Sequence, residues 1–209
     1  TILPRYFNRD FLKKAMPSSI LTLLPVPIIR LIVFFVYQVI SKYSHKLIVL
    51  LPSFTRLLVK LYNIPERKIV VIPHGVDEKI PPSGKTLKKW SKRLSGRKAI
   101  LFFGYIHPRK GIDCLIRAFH HFSKKKPDYV LIIAGGISSF KYLKVLKQLT
   151  AKLSLHSKVI FTGFVSDDEI RALLSLADFI VLPYALNIGD SSVLNLAIAY
   201  EVPIIATLK

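Results

Sequence analysis

The sequence predicts an α/β chain: a parallel, doubly wound sheet with helices on both faces, preceded by a partial N-terminal segment. Short continuous apolar runs recur along the chain, as expected of strands buried on both faces. Each leads through a glycine or polar turn into a stretch whose apolar residues repeat at helical spacing. Strand, helix and strand follow one another through short joins, which is the signature of βαβ units.

Residues 1–17, TILPRYFNRDFLKKAMP, are basic and aromatic, and Pro4, Asp10, Pro25 and Pro27 interrupt any signal-peptide pattern. Ser18 to Ile40 is apolar, yet its prolines and Arg30 break it, and the helix after Pro27 runs about 16 residues against the ~20 that span a bilayer. It reads as a buried or membrane-surface helix with Pro27 near its first turn. KLIVLL (46–51) reads as a doubly buried strand, Ser53 as the cap of the helix FTRLLVKLY, and KIVVI (68–72) as a second strand ending in PHGVD. His74 there is a turn residue at a domain hinge rather than a catalytic group.

From Lys79 to Lys98 the chain carries eight Lys or Arg and no acid, with Pro81, Pro82 and Gly84. Residues 78–96 therefore read as a solvated basic linker, or as a contact for anionic lipid. The alternation resumes at residue 97. Strands 99–103, 129–134, 159–161, 179–182 and 203–206 are expected, with helices over 111–124, 140–153, 167–177 and 192–200 between them. Ser166 caps the third of these helices, and Asp167, Asp168 and Glu169 complement its dipole.

A net charge of +20 calls for an anionic partner: nucleic acid, an anionic membrane face or a phosphorylated substrate. No RNP-like, zinc-finger or helix-turn-helix signature turns that charge into sequence readout, so sequence-specific nucleic-acid binding is not expected. The single cysteine, Cys114, rules out an internal disulfide framework and fits a reducing, cytoplasmic compartment. Cys114 itself is expected in the core. There is no HExxH and no cysteine pair, and His120 and His121 leave a helix on different faces, so neither a metal nor a cofactor is expected. Ser83-Gly84-Lys85-Thr86 imitates the tail of a P-loop but has Lys79 where the first glycine belongs and no strand before it.

The stretch AILFFGYIHPRKG (99–111) holds the chemistry. A buried strand ends at Gly104, a basic turn follows through His107, Arg109 and Lys110, and a helix opens at Ile112. Free N–H groups and the positive helix end would there meet one anion. The loop 183–192 also joins a strand to a helix at the same sheet edge, so two helix N-termini converge and suit a diphosphate.

VVIPHGVD, LFFGYIHPRKGIDCLIRAF, FTGFVSDDEIRALLSLADFIVLPY and SSVLNLAIAYEVPIIAT, in this order, resemble the retaining glycosyltransferases of the GT-B fold, family 4 (glycosyl transferases group 1), over about residues 44–207. The resemblance implies a Rossmann-like donor domain at 97–209, without its usual C-terminal helix, and the tail of the acceptor-side domain at 1–77. It implies a nucleotide-sugar donor (a UDP-, GDP- or ADP-sugar) as substrate, an acceptor that is a glycan, lipid or small molecule, and a partner subunit supplying the rest of the N-terminal domain. It places the donor diphosphate at Gly104, Lys110, Asp190, Ser191 and Ser192, and the nucleobase at the Val165 backbone, while His107 and Arg109 join the diphosphate set as members of the basic turn itself. No catalytic residue is carried over, and the alternatives to glycosyl transfer are a non-catalytic, membrane-surface protein of the same fold and, less favoured, a nucleic-acid binder driven by charge alone. The family's arginine after the first glycine is Tyr105 here, and its two glutamates eight apart fall on Ile188 and Leu196. A subgroup with a PY…SG pattern matches better, with Ser192 in place of its glycine. With the basic run, the apolar 18–43 region implies peripheral association with an anionic membrane surface.

Overall fold

The computed structural model describes residues 25–76, 78–184 and 191–207. The expectations for residues 1–24, for Asp77 and for Ile188 and Asp190 lie outside them. The chain divides into two compact units that meet in sequence at Gly75 and Val76.

The first unit comprises α1 (Val26–Tyr43), β1 (Leu47–Val49), α2 (Pro52–Tyr62) and β2 (Ile69–Val71). The strands pair in parallel with Leu47 opposite Ile69, which forms the expected βαβ unit. Its core is Leu58, Tyr62 and Ile64 with Val33, Phe34 and Tyr37 against them, and the Tyr37 and Tyr62 rings lie 4.2 Å apart. Two local expectations change. Ser53 lies inside the first turn of α2, whose cap position is Leu51 with Pro52 at the first helical position, where its missing N–H costs nothing. Among the described residues the strands are not buried on both faces: Leu47, Val49 and Ile69 share the face that packs on the core, while Ile48 on the other face is exposed.

Helix α1 starts after Pro25 with Pro27 in its first turn. It is 18 residues long and apolar enough to cross a membrane by length and composition. The buried reading does not hold within the described residues. Val33, Phe34 and Tyr37 pack on the small core, but Leu31, Ile32, Phe35, Val36, Val39 and Ile40 form an uncovered stripe.

The second unit holds α3 (Gly84–Leu94), β3 (Lys98–Phe103), α4 (Ile112–Lys125), β4 (Tyr129–Ala134), α5 (Phe140–Lys152), β5 (Val159–Gly163), α6 (Asp167–Leu176), β6 (Phe179–Leu182), α7 (Ser192–Ala199) and β7 (Ile204–Ala206). The sheet is wholly parallel in the order β5-β4-β3-β6-β7. Right-handed crossovers put α4 and α5 on one face and α6 and α7 on the other. The order reverses between β3 and β6. Strands β3 and β4, KAILFF and YVLIIA, are buried almost throughout, as their unbroken apolar sequence requires.

The basic run is not a solvated linker. Residues 84–94 form α3, which belongs to the second unit and buries Trp90 and Leu94 in its core, with Leu87 packed beside them. Spacings of three and four residues put these three on one face, so the lysines take the other. Ser83 caps the helix, its side chain accepting from the Thr86 N–H. The Ser83 hydroxyl and N–H both donate to the Asp168 carboxylate, at 2.6 and 2.7 Å, and Lys89 pairs with Glu169 at 2.8 Å, which joins α3 to the start of α6. Cys114 is exposed rather than buried. Leu115, Ile116 and Phe119 take the core face of α4, and Cys114 is turned from each of them by about 100° or more of helix rotation.

Candidate functional site

Ligands of an open α/β sheet bind beyond the carboxyl ends of its strands where the order reverses, here between β3 and β6. Three strands end there in glycine conformations: Gly104 after β3, Gly135 after β4 and Gly163 at the end of β5, all at positive φ. The Gly104 N–H donates to Ala134 O at 2.9 Å, and the Gly135 N–H to Gly163 O at 2.9 Å. A Cβ on Gly135 would fall 2.1 Å from the Gly104 carbonyl oxygen, so only glycine lets these chain ends approach. Beyond them the Ile106 N–H donates to Gly136 O, and the Ser138 hydroxyl donates back to Ile106 O. With Ile106 fully buried, the turn after β3 is held on its sheet side.

That turn is a single 3-10 turn, Pro108–Lys110, followed by Gly111 in the left-handed region, which redirects the chain into α4 at Ile112 as expected. His107 Nδ1 accepts from the Arg109 N–H. Burial, and then the charges of Arg109 and Lys110, push the His107 pKa below its ordinary value. The ring is therefore an acceptor at neutral pH, and the positive charge of the turn rests on Arg109 and Lys110. Arg109 is exposed, whereas Lys110 is half-buried and its Nζ lies 3.7 Å from the centroid of the Tyr184 ring.

The α4 start is less open than the sequence suggests. Tyr142 of α5 donates to the Asp113 carboxylate at 2.7 Å and accepts from the Asp113 N–H at 3.2 Å. Burial, then the bond to Asp113, push the Tyr142 pKa well above its ordinary value, so the phenol keeps its proton. One first-turn N–H is thus occupied.

Across the switch point, Ser191 caps α7 by position, and its hydroxyl lies 3.2 Å from the Tyr184 hydroxyl. The first-turn N–H groups at Ser192 and Val193 have no acceptor within their own helix. Leu196, one of the two positions without the family's glutamate, packs partly against the core. Val165 is buried between β5 and the capping box of α6, so only its backbone can meet a ligand. It lies two strands from β3, about 10 Å away. The structure brings Lys110 and Ser191 together through Tyr184 and keeps Val165 apart. Tyr184 stands in the sequence only as the tyrosine of the PY…SG pattern, with no role of its own, and nothing in the sequence marks Tyr142. Among the described residues no cluster of His, Cys, Asp or Glu could hold a metal ion.

The family model described as Glycosyl transferases group 1 matches residues 84–208. The GDP-mannose-dependent alpha-(1-6)-phosphatidylinositol monomannoside mannosyltransferase of Mycolicibacterium smegmatis is 29% identical over 139 residues, 65% of this chain and 36% of that one. The alpha-galactosylglucosyldiacylglycerol synthase of Streptococcus pneumoniae is 28% identical over 181 residues, 81% of this chain and 45% of that one. The fold matches that of Anabaena Alr3699/HepE, solved with UDP and glucose, at a TM-score of 0.73 and 19% identity, covering 85% of this chain and 48% of that one. The chain therefore spans between a third and a half of the length of these proteins.

Proposed function

The chain belongs to the glycosyl transferases group 1 family, and from that premise we propose that its second unit holds the nucleotide diphosphate of a sugar donor for glycosyl transfer, with retention and in the manner of family 4. The observation that carries this reading is Lys110, set by a glycine-ended strand at the switch point beside the α7 start. Lys110 and Arg109 neutralise the charge that develops on the departing diphosphate, which is electrostatic stabilisation of a leaving group. The base lies near the Val165 backbone, two strands away. GDP- and UDP-sugars are the donors to try first, since a named relative is GDP-mannose-dependent and a fold neighbour was solved with UDP.

The acceptor in this proposal is lipid-linked, reached from the cytoplasmic side of an anionic membrane. The uncovered stripe of α1, the charge of +20 and the lipid names of two relatives support it. Residues up to Gly75 supply one βαβ unit toward the acceptor side, and further chain or a partner subunit supplies the rest. Holding donor and acceptor in register is worth about 7–11 kcal/mol, so binding and turnover separate in these 209 residues.

Calorimetry with UDP-, GDP- and ADP-sugars, beside a transfer and donor-hydrolysis assay, tests the proposal. Binding of one donor with little turnover is the expected result. No binding of any of the three overturns the donor reading, and brisk transfer by these residues alone overturns the need for an opposing half.

A further inference from the structure

The Lys110 ammonium rests on a ring, and that ring belongs to the opposite side of the switch point. Tyr184 is 5% exposed and follows β6, whereas Lys110 follows β3. Among the described residues no carboxylate lies within ion-pair distance of Lys110. The phenol edge of the same ring meets Ser191 Oγ at 3.2 Å, and the Tyr184 carbonyl accepts from the Thr207 hydroxyl at 3.0 Å. One buried side chain thus touches the mobile cation of one loop and the cap position of the helix after the other.

We propose that Tyr184 is a positioning residue that registers Lys110 with the first turn of α7, so that both act on one diphosphate. A free lysine must surrender much of its rotamer freedom to bind an anion. A lysine already seated on an aromatic face has surrendered it before the ligand arrives. The ring takes one side of the ammonium, and its remaining N–H donors face the diphosphate. A ring serves better than a carboxylate in this place, because it attracts the cation without neutralising it. This inference rests on the donor-site reading above but concerns only the diphosphate.

Two measurements test it, with inorganic pyrophosphate, UDP and GDP as probes. In protein labelled at lysine, the Lys110 ε-methylene protons are expected upfield of the other lysines through the ring current of Tyr184. The shift is kept in Tyr184→Phe and lost in Tyr184→Leu, with Tyr184→Met as a second apolar variant should Leu fail to fold. In calorimetry Tyr184→Leu weakens pyrophosphate binding by about fivefold, the scale of a partly desolvated cation–π contact. The same change in a Lys110→Ala background has no further effect, a coupling that a merely structural tyrosine would not produce. An ordinary Lys110 shift in the wild type, equal pyrophosphate affinity in wild type and Tyr184→Leu, or additive losses in the double variant overturns the inference. Coupled pyrophosphate binding without any affinity for UDP or GDP keeps this inference and overturns the nucleotide-sugar reading instead.

Discussion

Helices α1 and α3 are each opposite to what their composition suggests. The first is mostly apolar, with Arg30 and Lys42 its only charges, yet among the described residues a six-residue stripe of it is exposed. The second is basic and follows two prolines, yet it carries Trp90 at 2% exposure and Leu94 into the main core. Average composition sets whether a segment can be buried. The angular positions of a few residues decide which face is, and a helix with one good face docks whatever the other face carries. A helix apolar on several faces presents more surface than Leu58, Tyr62, Ile64 and their neighbours cover among the described residues.

The largest expected effect breaks the α3 side of this comparison. Trp90→Ala should cost about 3–5 kcal/mol in denaturant unfolding of the second unit, as for other large buried aromatics. A loss under 1 kcal/mol would mean that α3 is a linker after all. Next comes Tyr142→Phe, which removes a hydroxyl serving both the Asp113 carboxylate and N–H. A loss of about 1–2 kcal/mol is expected from the same experiment, and no loss would show that solvent replaces the bond.

A smaller and pH-dependent effect is expected at Asp168. Hydrogen bonds from the Ser83 hydroxyl, from Thr86 and from the Ser83 N–H hold its pKa down at about 2, against an ordinary 3.8. A depressed carboxyl contributes stability above its unfolded pKa and loses it as pH falls through the folded one. The stability difference between wild type and Asp168→Asn should therefore be constant from pH 7 to about 5 and vanish between about 4 and 2. A pH-independent difference would remove Asp168 from the α3 joint. The smallest effect sharpens the α1 side: Phe35→Gln should change stability by less than about 0.5 kcal/mol, because the side chain is already exposed. A large loss there would show that the stripe is covered.

Much of the second unit was legible in the sequence because its central strands are continuous apolar runs, buried almost throughout in β3 and β4. YVLIIA and FIVL allow one reading, and β4 and β6 fall on the expected residues. The Gly104 turn and the helix start at Ile112 were legible for a related reason: glycine and proline punctuate the chain where backbone geometry is special. Helix α3 was hidden because Leu87, Trp90 and Leu94 are diluted by lysines. Cys114 was misplaced because its neighbours Leu115 and Ile116 compete for the same face and win. Tyr184 was visible only as part of the PY…SG pattern and Tyr142 not at all, since Lys110 and Asp113, which give them their roles, are distant in sequence and only the fold brings them near.

The central claim is that the Lys110 turn grips a nucleotide diphosphate. Calorimetry of UDP and GDP against wild type and Lys110→Ala tests it most directly, with unfolding curves to show that both proteins are folded. Removing a charged hydrogen-bond donor should weaken binding by about 1.5–3 kcal/mol. Unchanged affinity in a folded Lys110→Ala protein would contradict the account and reduce the turn after β3 to scaffold.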